Sequence, residues 1–306
     1  MPSNAATFDA HRNAEANVRL ESFFKGLARS TRRPLLLLDY DGTLANFRVD
    51  RFKARPWAGV REQLQRIQRC GRSQISVITG RPAAEIAPML ALDPPVEVWG
   101  LHGAERLHPN GERELQDASP AARAALDEVR AQLRRHALGG LFEDKPNAAV
   151  MHWRGHTPSR ARQIEQRARA LFEPFAQLEG IALLEFESGV ELRVGRDKGG
   201  AVRQLLQEAG EGAPVAYLGD DLTDEAAFQA VNQARGPHLS VLMRRTWRAT
   251  AADLWLQPPA GLRSFLARWE TVAAQKTSVY DESARALHPH RAACRSDLQI
   301  RPAGAP

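Results

Sequence analysis

Two acidic residues, Asp39 and Asp41, stand two positions apart in Asp39-Tyr40-Asp41-Gly42-Thr43-Leu44, directly behind the leucine run Leu35–Leu38. A short apolar run closed abruptly by Asp-x-Asp-Gly suits a buried parallel strand. Both carboxylates then fall at a carboxyl strand end, where open α/β sheets bind ligands. Gathering like charges in a partly buried crevice is costly unless a cation offsets them. A second acidic turn, Gly219-Asp220-Asp221-Leu222-Thr223-Asp224, follows another apolar run. Alone it reads equally well as an acidic helix start favoured by the helix dipole. Taken with Asp39 and Asp41 it makes an oxygen-rich set suited to a hard cation such as Mg2+, and no His or Cys cluster suggests zinc. Ile78-Thr79-Gly80-Arg81 adds a hydroxyl at a third strand end, and Lys198 in Asp197-Lys198-Gly199-Gly200 adds an ammonium at a helix start. A metal, an ammonium and a hydroxyl together can bind a phosphoryl group and neutralise its developing charge.

The elements around these residues alternate. Val60, Leu64 and Ile67 mark a helix ending near Gly71, Ile75–Ile78 a strand, Pro82 to Leu90 a helix start, and Val96–Trp99 a strand. Strand–helix alternation is the mark of a parallel α/β sheet. The middle of the chain differs. Asn110-Gly111 sits between two candidate strands as a hairpin signal. Ser119-Pro120 and Thr157-Pro158 each open a helix, and Ala148–Trp153, Ala182–Phe186 and Val190–Val194 read as strands. This is a small α/β layer inserted between two halves of the larger sheet. After Lys198 the first pattern resumes, with Val215–Leu218 and Leu239–Met243 as strands, Thr223 capping a helix, and a last helix over Gly261–Glu270. The boundaries read as a flexible segment 1–30, a core over 31–108 and 195–270, an insert over 109–194, and a flexible tail over 271–306.

Bulk composition excludes several classes. A chain of 306 residues with 43% apolar and 25% charged residues is globular, not disordered, and long enough for two domains. No apolar run approaches the ~20 residues needed to cross a bilayer, and the first residues lack the apolar stretch of an export leader. Two cysteines, Cys70 and Cys294, make no disulfide framework, so a reducing cytoplasm is expected. The net charge of +6 invites a nucleic-acid reading, but residues 1–33 and 271–306 contribute +3 and +2 and leave +1 for the body. A nucleic-acid binder should carry a basic stripe with exposed aromatics inside the fold, and this body shows none.

The four motifs, in their order along the chain (Asp39 and Asp41, Thr79, Lys198, Asp220), resemble those of the haloacid dehalogenase (HAD) superfamily of phosphohydrolases. The resemblance implies a HAD-like Rossmannoid parallel-sheet core with a smaller inserted α/β cap domain. It implies Asp39 as the nucleophile that forms an aspartyl-phosphate, Asp41 as general acid/base, and Thr79 and Lys198 as phosphoryl-binding groups. Mg2+ would be held by Asp39, the main-chain carbonyl of Asp41 and Asp220, with Asp221 and Asp224 as supporting acids. Within the superfamily, Gly100-Leu-His-Gly-Ala-Glu105, Phe142-Glu-Asp-Lys145, His152-Trp-Arg154, Gly189-Val-Glu-Leu-Arg193 and Tyr217-Leu-Gly-Asp-Asp-Leu-Thr-Asp-Glu225 are similar to trehalose-6-phosphate phosphatases. That likeness covers roughly residues 34–270 and implies that Glu143, Lys145 and Glu191 hold sugar hydroxyls. Arg81 and His102 are further substrate-facing candidates, although Arg81 equally caps its loop and His102 equally serves as a core histidine. Trp153 and Phe186 read as cap core. The implied substrate is trehalose 6-phosphate, a small sugar phosphate, with neither nucleic acid nor membrane as partner. The nearest alternative is a capped phosphatase for sucrose phosphate or mannosyl-phosphoglycerate. A phospho-acceptor signalling domain would lack both an acid/base partner like Asp41 and an insert of this size.

Overall fold

The computed structural model describes residues 4–48, 50–115, 118–135, 139–145, 147–178, 180–186 and 188–287. Helix α1 (Asn4–Arg29) leads into strand β1 (Leu35–Leu38), followed by α2 (Val60–Arg69), β2 (Gln74–Ile78), α3 (Ala83–Leu90) and β3 (Glu97–Gly100). A hairpin, β4 (Glu105–Leu107) and β5 (Arg113–Leu115), precedes α4 (Pro120–Arg135), β6 (Phe142–Lys145), β7 (Ala148–His152), α5 (Pro158–Ala176), β8 (Ile181–Phe186) and β9 (Gly189–Val194). Then come α6 (Lys198–Ala209), β10 (Val215–Gly219), α7 (Glu225–Asn232), β11 (His238–Met243), β12 (Leu254–Leu256) and α8 (Ala260–Leu287).

The large sheet runs β12-β11-β10-β1-β2-β3-β4-β5, parallel from β12 to β3 and antiparallel at the last two strands. Its leucine run is continuous because both faces are covered. Leu36 and Leu38 pack in one layer with residues of α1, α2, α3 and α8, while Leu35 and Leu37 pack in the other with α6 and α7. From β1 the chain moves outward through β2 and β3, then returns beside β1 at β10 and moves the other way. The order therefore reverses between β1 and β10, which opens a crevice beyond their carboxyl ends. Asp39 and Asp220 are the residues that follow those two ends.

The insert forms its own antiparallel sheet, β6-β7-β9-β8. Helices α4 and α5 cover one face, burying Leu126, Val129, Ile164 and Phe172 against Ala149, Met151, Val190 and Leu192. The period of two along a strand turns Glu143 and Lys145 of β6, and Glu191 and Arg193 of β9, to the opposite face. Trp153 packs against this cap core; the side chain of Phe186 lies outside the described residues.

Four sequence expectations need correction. The hairpin β4–β5 belongs to the large sheet, not to the insert, because β4 pairs with β3. The core therefore extends to Leu115, and the insert starts after it rather than at 109. Within the segment 1–30 expected to be flexible, residues 4–29 form helix α1, which buries Phe23, Phe24 and Leu27, with ring centroids 5.9 Å from Phe23 to Trp269 and 5.4 Å from Phe24 to Phe265. Burying each phenylalanine is worth roughly 1.5–3 kcal/mol, enough to hold a polar helix to the core. Helix α8 continues past Glu270 to Leu287, so no tail begins at 271; residues 288–306 lie outside the described set. Finally, Asp221, not Thr223, caps the turn before α7, accepting from the Leu222 N–H at 2.8 Å.

Candidate active site

The Asp39 main-chain N–H donates to the Leu218 carbonyl at 2.9 Å, extending the β1–β10 pairing by one residue. This places its carboxylate beside the acidic turn after β10. Asp39 Oδ1 accepts from Lys198 Nζ at 2.6 Å, whereas Oδ2 is buried with no partner. Asp39, Asp220 and Asp224 can each offer a carboxylate oxygen within 4.8 Å of the others. Burial pushes Asp39 up to about 7. Burial, reinforced by the charges of Asp39 and Asp224, pushes Asp220 up to about 9. An orphaned carboxylate oxygen among acids that repel one another fits a hard divalent cation. Gly42 makes the approach possible: at φ +84° it leaves a space where a Cβ would lie 2.1 Å from Asp220 Oδ2.

Asp224 stands differently in this cluster. Fully buried, its Oδ1 accepts from Lys198 Nζ at 2.7 Å and from the Tyr217 hydroxyl at 2.6 Å. Its Oδ2 accepts from the Asp220 and Asp221 N–H groups, both at 2.9 Å. Four donors occupy this carboxylate. Asp221 turns its own side chain to the Leu222 N–H at 2.8 Å and is not one of the three clustered acids.

Asp41 and Arg81 meet at 3.5 Å. Burial raises the Asp41 carboxyl above its ordinary range, and Arg81 opposes that rise. Arg81 also donates to the Arg51 carbonyl at 3.0 Å and to Glu85 at 3.3 Å, so its guanidinium orients Asp41 from a fixed seat. Thr79 is buried, and its Oγ1 accepts from the Arg81 N–H at 3.2 Å, which leaves its hydroxyl proton free to donate. His102 lies over Gly80, where a Cβ would come within 2.4 Å of its Nε2. Its backbone is left-handed at φ 57°, and its N–H grips the Thr79 carbonyl at 2.8 Å. Desolvation, then the charges of Arg193, Lys198 and Lys145, push its imidazole well below the ordinary histidine range, so the ring is neutral.

Two of those charges, Arg193 and Lys145, belong to the polar face of the cap sheet. Glu191 is held from both sides, Oε2 by Lys145 Nζ at 3.2 Å and Oε1 by Arg193 Nε at 2.6 Å. Glu143 shares that face, but its exposed carboxylate pairs with His152 at 2.9 Å rather than joining Lys145 and Glu191. Sequence reasoning passed over Arg193 and Tyr217. Arg193 was legible, because it alternates with Glu191 along β9. Tyr217 was not: it sits inside an apolar strand, and only the fold shows where its hydroxyl goes.

The sequence profile of the Trehalose-phosphatase family matches residues 37–258. The chain belongs to that family. Trehalose-phosphatase sequences include the trehalose-phosphate phosphatase of Mycobacterium marinum, 32% identical over 250 residues, covering 77% of this chain and 61% of the relative. The chain thus spans about three fifths of the length of the curated relatives it matches. Among solved structures, trehalose-6-phosphate phosphatase of Aspergillus fumigatus superposes with a TM-score of 0.63 at 22% identity, covering 83% of this chain and 97% of that one. A phosphatase of the haloalkanoate (HAD) enzyme superfamily from Bacteroides thetaiotaomicron superposes with a TM-score of 0.58 at 17% identity, covering 79% and 97%. Those structures share the fold, a HAD-like core with an inserted cap.

Proposed function

We propose that this protein is a cytoplasmic, Mg2+-dependent phosphatase that converts trehalose 6-phosphate and water to trehalose and phosphate. The observation that carries the reading is the state of Asp39, with one oxygen on Lys198 and the other buried, unpartnered and facing acids. Asp39, Asp220 and the main-chain carbonyl of Asp41 would hold the ion, which supplies Lewis-acid stabilisation of phosphoryl charge when bound. Asp39 attacks phosphorus while the bond from phosphorus to the sugar oxygen breaks. Asp41, kept protonated more readily by its burial, gives its proton to the departing alkoxide. It then takes a proton from the water that cleaves the aspartyl-phosphate, releasing phosphate and restoring both carboxyl groups. Lys198 and Thr79 hold phosphoryl oxygens, with Asp224 fixing the ammonium and Arg81 fixing Asp41.

Sugar recognition falls to the cap. Glu191, braced by Lys145 and Arg193, and Glu143 beside them make charge-assisted bonds to vicinal hydroxyls, and the neutral ring of His102 offers a further polar edge from the core. The chemistry suits a small sugar phosphate, and no helix among the described residues is long and apolar enough to cross a membrane. The test is phosphate release from a panel of sugar phosphates, in Mg2+ and in EDTA. Trehalose 6-phosphate should be preferred, and EDTA should silence it. Equal turnover of sucrose 6-phosphate would overturn the substrate. Asp39→Asn should fold yet lose on the order of 10⁴-fold in kcat; retained phosphate release would overturn the nucleophile.

A further inference from the structure

Asp224 claims the N–H groups of the Asp220–Asp221 turn, and the carbonyls of that turn have claimants as well. The Asp220 carbonyl accepts from Arg244 Nη1 at 3.4 Å, and the Asp221 carbonyl accepts from Arg248 Nη2 at 2.8 Å. Both arginines sit in the loop between β11 and β12, outside every motif that defines the site. Arg248 uses its other terminal nitrogen to pair with Glu225, the first residue of α7. Glu225 in turn accepts from Thr250 Oγ1 and from the Ala251 N–H, both at 2.8 Å. One carboxylate therefore fastens three points of the neighbouring loop, and one of them reaches back to the acidic turn.

We infer that Glu225 and Arg248 form a clasp that sets the Asp220–Asp221 turn for Mg2+, which makes both of them positioning residues of the metal site. The inference rests on the phosphatase reading above. With its N–H groups held by Asp224 and its carbonyls by Arg244 and Arg248, the turn has its three successive peptide planes fixed. The Asp220 carboxylate then meets Asp39 without reorganising when the ion arrives. Outer partners of this kind typically change metal affinity or activity 10–100-fold when removed. Arginine suits the position because a planar guanidinium engages a carboxylate and a carbonyl at once, whereas a single ammonium does so poorly.

The experiment is calorimetric titration of Mg2+ into the EDTA-stripped full chain, in wild type, Asp220→Asn, Arg248→Gln, Glu225→Gln and the Arg248→Gln/Glu225→Gln double variant. Both single variants should weaken Mg2+ binding about tenfold, and the double variant should weaken it no further, since the two act through one carbonyl. At saturating Mg2+, kcat and the KM for trehalose 6-phosphate should return to wild-type values. A charge effect alone predicts opposite signs: Arg248→Gln would tighten binding and Glu225→Gln would weaken it. Tighter or unchanged binding in Arg248→Gln overturns the inference. If Arg248→Gln does not fold, Arg248→Lys is decisive: an ammonium holds a carboxylate and a carbonyl together poorly, so binding should weaken roughly threefold, less than the loss from removing such a partner outright, and unchanged binding overturns the inference. Wild type taking up no Mg2+, or Asp220→Asn binding it equally well, would instead bring down the metal reading on which the clasp depends.

Discussion

Asp224→Asn separates a residue that grips the ion from one that holds the machinery around it. The buried carboxylate accepts four hydrogen bonds, two on each oxygen. Asparagine has the same shape but offers one acceptor and one two-donor nitrogen. Turned one way, its amide nitrogen faces Lys198 Nζ and the Tyr217 hydroxyl; turned the other, it faces two backbone N–H groups. Either orientation sets donor against donor and loses bonds, two at the backbone N–H groups or at least the one to Lys198 (the Tyr217 hydroxyl can reverse to accept), while Lys198 keeps only Asp39 as a counter-charge. Breaking a buried charged pair from one side costs ~3–5 kcal/mol. In a domain of this size that corresponds to a fall in Tm on the order of 10 °C. The assay is thermal and urea unfolding of wild type and variant in EDTA, where no ion contributes. A loss below about 1 kcal/mol, accompanied by abolished Mg2+ uptake, would refute the positioning role and make Asp224 a ligand.

Phe23→Ala should cost ~3–5 kcal/mol in urea unfolding, because α1 is part of the core through Phe23, Phe24 and Leu27; a loss under about 1 kcal/mol would mean the helix is dispensable. Gly42→Ala should destabilise the fold by more than about 1 kcal/mol and weaken Mg2+ uptake by calorimetry, since the new Cβ at φ +84° displaces Asp220; wild-type uptake would show that the turn gives way freely. The pH dependence has a definite sign. Burial raises Asp39 to about 7 in the folded state, against ~4 in the unfolded chain, so the native state holds a proton that the unfolded chain has released. The stabilisation is complete below pH ~4 and is lost as the pH rises through about 7. Without metal, the stability of wild type relative to Asp39→Asn should fall across that window. A difference that rises there would refute it.

The parts of this molecule that were legible in its sequence are those that local chemistry writes locally. The leucines of β1 announce a strand covered on both faces, and the acids behind them announce a strand end. The runs Ala148–Trp153, Ala182–Phe186 and Val190–Val194 announce a second sheet, whereas β6, which carries Glu143 and Lys145, is not announced as a strand. What stayed hidden depends on reach across the fold. The hairpin β4–β5 has an unmistakable turn, but which sheet it joins is decided by pairing with β3. Helix α1 is polar along most of its length, and its docking rests on aromatic partners that lie some 240 positions away, at Phe265 and Trp269. The hydroxyl of Tyr217 and the guanidinium of Arg248 act through side chains whose targets lie on other loops.

The polypeptide leaves the cap and re-enters the core along three residues, Gly195, Arg196 and Asp197, between the end of β9 and the start of α6. Upstream, β9 is locked in register with β7 and β8; downstream, the Asp197 side chain accepts from the Gly200 N–H at 2.7 Å. Glu191, proposed to read the sugar, and Lys198, proposed to hold the phosphate, thus lie on one inelastic strap. A single inserted residue would lengthen it by ~3.3 Å, more than the whole 2.6 Å separation of Lys198 from Asp39. Cap and core are therefore not interchangeable cassettes at this joint. A lineage departing from this protein toward a new sugar would change side chains on the cap strands and leave the length of the joint untouched.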